Sequence, residues 1–400
     1  MLRPFISFVF CFISITECYS QNEGNIWVFG DSAAIDFNSG NPVPLLGTGL
    51  RAYECSSSIS NSNGQLLFYS GSYSTTTYWE TAIFNKYHNI IQNGNGIYCN
   101  TSSTQGNLLI PFVNDTNLFY LFSHRSNTSI PDHKIYYSVI DQSSNFDSGA
   151  VMIKNIPLPG ITNMTEHIQA IRHGNGIDWW LVTHKNLSDQ FYLYLIDSGG
   201  INGPFIQQKG SVFNINDLLG QIKFSPDGNK RAVVGGGGKI DLFDFDRCTG
   251  ILQNSISMGF PANFISFYSC SFSPNSKVLY VSDFDTLFQF DLTASNIQAS
   301  KQIIWYDSDS INIVGQHLLG PGGKIYIANS STSWSSNVYN VQNMNLSVIN
   351  SPDSLGAACN FQPYSFYLGG RRSFGGLPNI PDYVLGPVEG SCLTSVNELN

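Results

Sequence analysis

The chain has 400 residues and a formal net charge of −9, and only 12% of its residues are Asp, Glu, Lys or Arg, about half the usual fraction of about 25%. An acidic, charge-poor surface lacks the basic stripe that nucleic-acid binding requires, so we exclude nucleic acid as a partner. After the first twenty residues, no apolar stretch of the sequence reaches transmembrane length, and we expect no membrane-spanning segment in the mature chain.

Residues 1–20 are predicted to form a secretory signal peptide. Arg3 precedes an apolar run over residues 5–15, and small residues at Cys18 and Ser20 predict cleavage after Ser20. A lipoprotein signal ending at Cys18 is the alternative, but Glu17 stands where a small residue is required. The run is too short for an uncleaved membrane anchor. We therefore expect a secreted protein, located in the extracellular space or at the outer cell surface.

A strand–turn–strand unit recurs along the chain. The clearest copy, residues 222–246, contains the turn Ser225-Pro226-Asp227-Gly228 between runs of β-branched and aromatic residues. Proline presets the second turn position, and glycine accepts the positive φ that closes the turn. Two further copies of the unit, with turns at residues 273–276 and 320–323, follow this copy, and looser copies precede it. Equivalent positions are spaced 47 to 60 residues apart, at Ile59, Leu108, Ile168, Ile222, Cys270 and His317.

A period of about 40 to 50 residues with about four strands is typical of a β-propeller blade. Six copies are visible, and the segments before Ile59 and after Ile349 hold enough strand-like sequence for one more. We predict an all-β chain with a single β-propeller of about seven four-stranded blades over residues 21–385, with six or eight blades as alternatives. Because propellers commonly close their ring by pairing an early strand with the last blade, we expect residues 26–29 to pair with 345–350 or 365–368.

Several motifs follow one another in an order that resembles the N-terminal propeller region of exported Bacteroidetes proteins with gliding-motility or type IX secretion sorting domains. They are NIWVFGDSAAIDFNSGNPV, ECSSSISNSNGQLLFYS, IQAIRHGNGIDWWLVTHK, FSPDGNK with LFDFDRCTG, and CNFQPYSFYLGGRRSFGGLPN. The resemblance covers about residues 22–385. It implies export and a cell-surface role, and no particular activity. Residues 386–400 form a predicted tail whose end resembles the lead-in to a sorting domain, so we interpret the chain as truncated there or released by another route.

Six cysteines remain after the predicted cleavage, and in an exported protein an even number suggests disulfides. Six cysteines allow 15 full pairings, and the sequence does not choose among them. Since none has CxxC spacing, a redox or zinc site is disfavoured. A propeller of this size has a sufficient core without disulfides, so some thiols can simply be buried. The candidates are Cys55, Cys99, Cys248, Cys270, Cys359 and Cys392.

Metal and catalytic signals are weak. His167 and His173 lie on the same face of a predicted strand, but nothing supplies a third ligand. Aspartate pairs recur two residues apart and could supply calcium oxygens or a glycosidase carboxylate. Their recurrence with the blade period favours hydrogen bonding in turns and at strand ends instead. We assign no catalytic, cofactor or metal residue and keep calcium open as a ligand. The pairs are Asp244/Asp246, Asp283/Asp285 and Asp307/Asp309.

Two tryptophans are candidates for stacking on a ligand. Trp79 and Trp334 lie in polar, hydroxyl-rich segments, where an exposed ring could stack on a sugar. A single exposed tryptophan is also ordinary surface. Trp179 and Trp180 are adjacent in a predicted strand, so one of them must face the core.

We therefore expect an exported, non-catalytic binding or adhesion module that presents a propeller face to an extracellular carbohydrate or protein ligand. The sequence contains no G-x-S-x-G elbow and no recognisable cysteine-nucleophile motif. One alternative is a secreted propeller hydrolase or lyase acting on polysaccharide, whose carboxylates converge from different blades in a pocket. Another is a structural spacer within a larger cell-surface protein, which would have no pocket.

Overall fold

The structure is a computed structural model, and it describes residues 22–74, 79–127, 130–259, 267–308, 312–331, 338–390 and 392. The predicted signal peptide, residues 1–20, lies outside this part of the chain. No described helix is both long and apolar enough to cross a membrane.

The described strands form seven antiparallel sheets in a ring, which is a seven-bladed β-propeller. The predicted fold class and blade number are confirmed. Five blades have four strands, and the first two have three described strands each. The first two blades comprise β1 (Ile26–Phe29), β2 (Ala33–Asp36), β3 (Val43–Leu45), then β4 (Ser56–Ser60), β5 (Leu66–Ser74) and β6 (Trp79–Asn85).

The five four-stranded blades follow in chain order. Blade 3 comprises β7 (Asn107–Pro111), β8 (Leu118–Asn127), β9 (Ile130–Asp141) and β10 (Ala150–Pro157), and blade 4 comprises β11 (Met164–Arg172), β12 (Trp179–Lys185), β13 (Gln190–Asp197) and β14 (Gly200–Gln208). Blade 5 comprises β15 (Gly220–Phe224), β16 (Lys230–Gly235), β17 (Lys239–Phe245) and β18 (Leu252–Ser257), and blade 6 comprises β19 (Ser269–Phe272), β20 (Val278–Ser282), β21 (Thr286–Asp291) and β22 (Gln302–Tyr306). Blade 7 comprises β23 (Asn312–Leu319), β24 (Ile325–Ser331), β25 (Asn345–Ile349) and β26 (Phe361–Tyr367).

Helical structure is confined to connections between strands. A four-residue segment, α1 (Ser144–Asp147), and three 3₁₀ turns, Ile215–Leu218, Gln298–Ser300 and Gly356–Cys359, make up the helical part of the described chain.

From blade 1 to blade 7, the first strand of each blade lies next to the first strand of the following blade, around the axis. All six positions that mark the sequence period fall on these inner strands, from Ile59 on β4 to His317 on β23. The repeat in the sequence is therefore the blade repeat. Apolar side chains fill the gaps between blades: Trp27 of blade 1 packs with Tyr326 of blade 7, and Trp180 of blade 4 packs in one cluster with Phe243 of blade 5.

The turns that follow three inner strands have the same form. The amide of Gly228 donates to the carbonyl of Ser225 at 2.8 Å, and Gly228 has a φ of +74°. The amide of Ser276 donates to Ser273, and the amide of Gly323 donates to Gly320, both at 2.9 Å. The recurring turn motif therefore places three similar hairpin ends at one face of the propeller.

The expected pairing of residues 26–29 with 345–350 or 365–368 is wrong. β1 pairs only with β2 among the described strands, and β26 completes blade 7 by pairing with β25. Residues 26–45 have enough strand to build a sheet of their own, so β1 becomes an inner strand there. The ring is closed by packing between blades 1 and 7 and by an ion pair, in which Nε of Arg372 lies 3.1 Å from Oδ2 of Asp31.

After β26 the chain turns inward, and residues 371–388, here called the axial segment, run along the axis of the ring. The carbonyl of Gly375 accepts from the Gln316 amide at 2.7 Å, and the Gly376 amide donates to Tyr53 at 3.1 Å. Asp382 forms a parallel bridge with Ile171, and the Val388 amide donates to Gly174 at 2.9 Å. Residues past 385 therefore still contact blade 4.

Four of the six candidate cysteines form disulfides in the structure. Cys55 is joined to Cys99, which links the regions before β4 and β7, and Cys248 is joined to Cys392. Cys270 and Cys359 are buried free thiols. Since Cys248 lies in the connection between β17 and β18, the second disulfide anchors the chain beyond the axial segment to blade 5.

Replacing Cys392 by serine is expected to lower the free energy of unfolding by about 2–5 kcal/mol and to speed proteolysis within residues 371–392. The disulfide is the covalent anchor at the end of the axial segment, and it closes a loop with a sequence separation of 144. Chemical denaturation and limited proteolysis measure both effects. Cys359→Ala, which removes a buried thiol away from this anchor, is the control, and equal cleavage rates in the two variants would contradict the anchoring role.

Candidate ligand site

Midway along the axis, polar side chains from the inner strands and the axial segment form a hydrogen-bonded layer, here called the polar belt: Gln105, Gln169, Gln316 and Asn379. Nδ2 of Asn379 donates to the carbonyl of Ile168 at 2.9 Å, while its Oδ1 accepts from Nε2 of Gln169 at 3.0 Å and of Gln105 at 3.3 Å. Oε1 of Gln316 accepts from the amide of Leu377 at 2.9 Å. The belt therefore fills the middle of the ring and separates its two ends.

On one side of the belt, at the C-terminal ends of the inner strands, lies a cavity of about 500 Å³. Its walls are mainly apolar, with side chains from Trp27, Ile171, Phe224, Phe272, Leu318 and Ile380. Small-ligand sites typically have volumes of about 300–1,000 Å³, apolar walls and a few polar groups. This cavity, here called the axial pocket, has the size and lining of such a site.

The recurring turns build the rim of the axial pocket. Pro226, Pro274 and Pro321, each in the second position of its turn, line the cavity. Blades 5, 6 and 7 therefore contribute equivalent backbone to the rim, and residues 380–384 of the axial segment complete the wall. The turn repeat was visible in the sequence, but the axial segment that closes the pocket was not.

Two polar side chains in the pocket lack partners in the described part of the chain. Lys223, on β15, is 8% exposed and lines the cavity, and its ammonium forms no hydrogen bond or ion pair there. Burial lowers the pKa of Lys223 to about 8, although the Cys270 thiol opposes the shift. Ser271, on β19, is 3% exposed, and its hydroxyl also has no hydrogen-bond partner.

Lys223 and Ser271 point to the same side of neighbouring inner strands. Two residues earlier on these strands, the hydroxyl of Ser269 donates to Oε1 of Gln221 at 2.6 Å. Because side chains two residues apart in a strand share a face, Lys223 and Ser271 extend from the same strand faces as this bonded pair, one step nearer the mouth, and both line the pocket. The pocket thus has two hydrogen-bond donors, from neighbouring inner strands, among apolar walls.

One carboxyl group, that of Asp382, also lines the pocket. Burial raises its pKa, while its backbone hydrogen bonds and the positive charges of Arg247 and Arg172 act in the opposite direction. Its Oδ1 accepts from the amide of Val384 at 3.0 Å. Asp382 is therefore held by its own neighbours in the axial segment.

At the other end of the axis, two buried carboxyl groups come from different blades. The hydroxyl of Tyr268 donates to Glu54, and Oε2 of Glu166 accepts from the amide of Thr104 at 2.8 Å. Burial raises the pKa of Glu166 to about 7. Burial also raises the pKa of Glu54 well above its usual value, and the charge of Glu166 adds to that shift. Glu166 can therefore hold a proton near neutral pH.

The aspartate pairs found in the sequence accept hydrogen bonds near turns and strand ends. Asp244 accepts from Nζ of Lys230 at 2.8 Å, and Oδ1 of Asp246 accepts from the amide of Cys248 at 2.8 Å. Oδ1 of Asp283 accepts from the amide of Thr286 at 2.7 Å. None of the described aspartates of these pairs lines the axial pocket, and Asp309 lies outside the described residues. The residues that line the pocket were therefore not among the candidates drawn from the sequence.

The two histidines considered as metal ligands are not brought together. Nε2 of His173 lies 2.8 Å from the carbonyl oxygen of Cys248, whereas His167 packs against Phe213 and His184. In the described ranges, no three His, Cys, Asp or Glu side chains are placed to hold a metal ion.

The predicted stacking site at Trp79 and Trp334 stays a prediction. Trp334 lies outside the described residues, and so does the side chain of Trp79, although its backbone begins β6. Trp179 and Trp180 are both buried, at 0% and 2% exposure, in two different clusters. The two faces of β12 each pack against a core because neighbouring blades cover both sides of the sheet.

These features define a seven-bladed β-propeller with an axial pocket at one face. No known family model matches the sequence, and no curated protein does. A provisionally assigned 6-phosphogluconolactonase from Bacteroides fragilis is a similar solved structure, with 11% identity, a TM-score of 0.49 and coverage of 90% of this chain and 98% of that one.

Two further solved structures are similar to the same degree. A provisionally assigned 6-phosphogluconolactonase from Bacteroides uniformis has 13% identity, a TM-score of 0.48 and coverage of 83% of this chain and 94% of that one. A protein of unknown function from Desulfotomaculum acetoxidans has 12% identity, a TM-score of 0.47 and coverage of 90% and 100%. The assignment of the fold rests on the order of the sheets in this chain.

Proposed function

We propose that this chain is an exported binding module whose ligand occupies the axial pocket. The observation that carries the proposal is the pocket itself: a cavity of about 500 Å³ with apolar walls, lined also by Lys223 and by Ser271, whose hydroxyl is buried without a partner. Enclosed apolar surface with a few converging polar groups is the usual composition of a ligand site. The ligand is a small molecule, or the end of an extracellular carbohydrate or protein that projects into the pocket.

Two features support export. The first twenty residues have the pattern of a signal peptide, and the resemblance to exported Bacteroidetes proteins agrees with it. The structure also has two disulfides, and disulfides persist mainly in oxidising compartments. The pocket is an argument against a purely structural spacer, which has no need of one.

The test is a thermal-shift and pulldown screen of residues 21–400 against small molecules, glycans and polysaccharides, with and without calcium. Ser271→Trp places a large side chain in the pocket, and Ser255→Trp on the exposed face of β18 is the matched control. A ligand of the pocket should bind Ser271→Trp at least about tenfold more weakly, a loss of about 1.4 kcal/mol, and should bind Ser255→Trp as it binds wild type. Unchanged binding to Ser271→Trp, in a folded variant, contradicts the proposal.

A second candidate function is polysaccharide hydrolysis or lysis. Glu54 and Glu166 favour it, because they come from blades 2 and 4 and the charge of Glu166 helps to raise the pKa of Glu54. Glycosidases use two such carboxyl groups on either side of the scissile bond. An assay for released reducing sugar separates the two functions. Sugar release by the wild type that Glu166→Gln abolishes would replace the binding proposal with a catalytic one.

A further inference from the structure

We infer that the axial pocket binds a small molecule with an apolar body and a single acidic group, and that Lys223 and Ser271 contact the acidic group. The inference rests on the proposed function, because it assigns a chemical class to the ligand of the same pocket.

Burying Lys223 without a partner has a high energetic cost. An ammonium removed from water is strongly destabilising unless an opposite charge or hydrogen-bond acceptors replace the water. At 8% exposure Lys223 is largely removed from water, and no acceptor in the described chain replaces it. A bound carboxylate, sulfonate or similar group would supply the missing acceptors and the missing charge.

Ser271 supplies a second donor to the same pocket. The hydroxyl of Ser271 is buried without a partner, on the same face of the neighbouring inner strand. A buried polar atom left unpaired costs about 1–3 kcal/mol. An acidic group with two oxygens could accept hydrogen bonds from both Lys223 and Ser271. A hydroxyl or an amine has fewer acceptor atoms and would satisfy the two donors less well.

The walls of the pocket indicate the chemistry of the rest of the ligand. Beyond these two donors the walls contain aromatic and aliphatic side chains, among them Trp27, Phe224 and Phe272. Asp382 adds a carboxyl group to the lining. A ligand with several acidic groups would find one lysine in the lining and would also meet that carboxyl group. A ligand with one acidic group and an apolar body would find a partner for each of its parts.

Two fluorescent probes with the same aromatic body test the inference. 8-Anilinonaphthalene-1-sulfonate carries an acidic group, and N-phenyl-1-naphthylamine lacks it. At pH 7 the wild-type chain, residues 21–400, should bind the sulfonate at least about tenfold more tightly than the neutral probe, a difference of about 1.4 kcal/mol. Lys223→Met should lose that preference and bind the neutral probe as wild type does. Ser271→Ala should weaken sulfonate binding by a smaller factor.

Controls locate and explain the effect. Lys277→Met removes an exposed lysine and should change neither affinity, whereas Ser271→Trp should weaken both probes. Lys223→Met should also unfold at a higher temperature than the wild type without ligand, because the buried charge is gone. This second readout does not depend on any probe.

The outcomes separate the inference from the proposed function. If both probes bind the wild type and Ser271→Trp weakens them, but Lys223→Met keeps the preference for the sulfonate, the acidic-group inference is overturned and the pocket proposal stands. If neither probe binds the wild type, or if Ser271→Trp has no effect on either, both are overturned. Loss of the sulfonate preference in Lys223→Met alone supports the inference.

Discussion

Replacing Asn379 by alanine is expected to lower the free energy of unfolding by about 3–5 kcal/mol. The residue is 4% exposed, and its side chain connects the axial segment to blades 3 and 4 in the polar belt. Alanine would leave the carbonyl of Ile168 without that donor and Nε2 of Gln169 without that acceptor. Each buried group that loses its partner costs about 1–3 kcal/mol.

Equilibrium denaturation of the wild type and of Asn379→Ala measures this loss of stability. Asn95→Ala is the matched control, because Asn95 is exposed on a loop, and substitutions of that kind usually change stability by less than about 0.5 kcal/mol. A loss below about 1 kcal/mol in Asn379→Ala would mean that the polar belt does not hold the axial segment. The pocket wall formed by residues 380–384 would then have no firm support.

Lowering the pH from 7 to 5 is also expected to destabilise the protein. Four fully buried histidines are the main cause. Burial lowers the pKa of His124, His167 and His317 to about 3 and that of His184 well below its usual value. Both ring nitrogens of His184 and His317 also lack hydrogen-bond partners in the described chain.

The sign follows from proton uptake. Below pH 6.5, the usual histidine pKa, the unfolded chain binds protons that the folded chain excludes, so folding becomes less favourable as the pH falls. Below pH 6.5, each histidine lowers the free energy of unfolding by about 1.4 kcal/mol per pH unit. At pH 5 this amounts to about 2 kcal/mol for each histidine. Neighbouring charges add to the effect, because Lys223 faces His317, and Arg231 faces His167 and His184.

The two buried glutamates act in the opposite direction. Their pKa values are raised in the folded chain, so between pH 7 and 4.5 the folded state binds protons that the unfolded state does not, and folding becomes more favourable. For Glu166, with a pKa of about 7, the gain at pH 5 is about 3 kcal/mol. Glu54 contributes a gain of the same sign, and the two together offset part of the histidine loss.

Two variants with opposite expected effects test this account. His317→Gln should make the fall in stability shallower by about 1.4 kcal/mol per pH unit below pH 6.5, and Glu166→Gln should make it steeper between pH 7 and 5. The measurement is the free energy of unfolding by denaturant at several pH values. Parallel curves for wild type and both variants would show that these groups titrate alike in the folded and unfolded chains.

The part of the fold that repeats was predictable from the sequence. The period of about fifty residues located an inner strand in each of six blades, because every blade needs the same strand lengths and turn residues. The turn Ser225–Gly228 formed as expected, since Pro226 and Gly228 suit its dihedral angles. Local signals of this kind depend only on neighbours in the chain.

The parts that depend on distant contacts were missed. Residues 371–388 have no alternating pattern of apolar and polar residues. Nothing in their sequence shows that Asn379 bonds with Gln169 and Gln105, which precede it by 210 and 274 residues. The prediction of how the ring closes was wrong for the same reason, because strand propensity alone does not identify the partner of β1. Lysine is usually exposed, so the sequence did not indicate that Lys223 is buried. Its burial results from the five inner strands and the axial segment that surround the pocket in the folded chain.

The most direct test of the axial pocket as the ligand site is a crystal structure of residues 21–400 with the tightest ligand from the screen. The account predicts electron density for the ligand between the three proline-containing turns and residues 380–384, with its acidic group at Lys223 and Ser271. Density at the outer strands or at the Glu54 and Glu166 end of the axis, with an empty axial pocket, would contradict it.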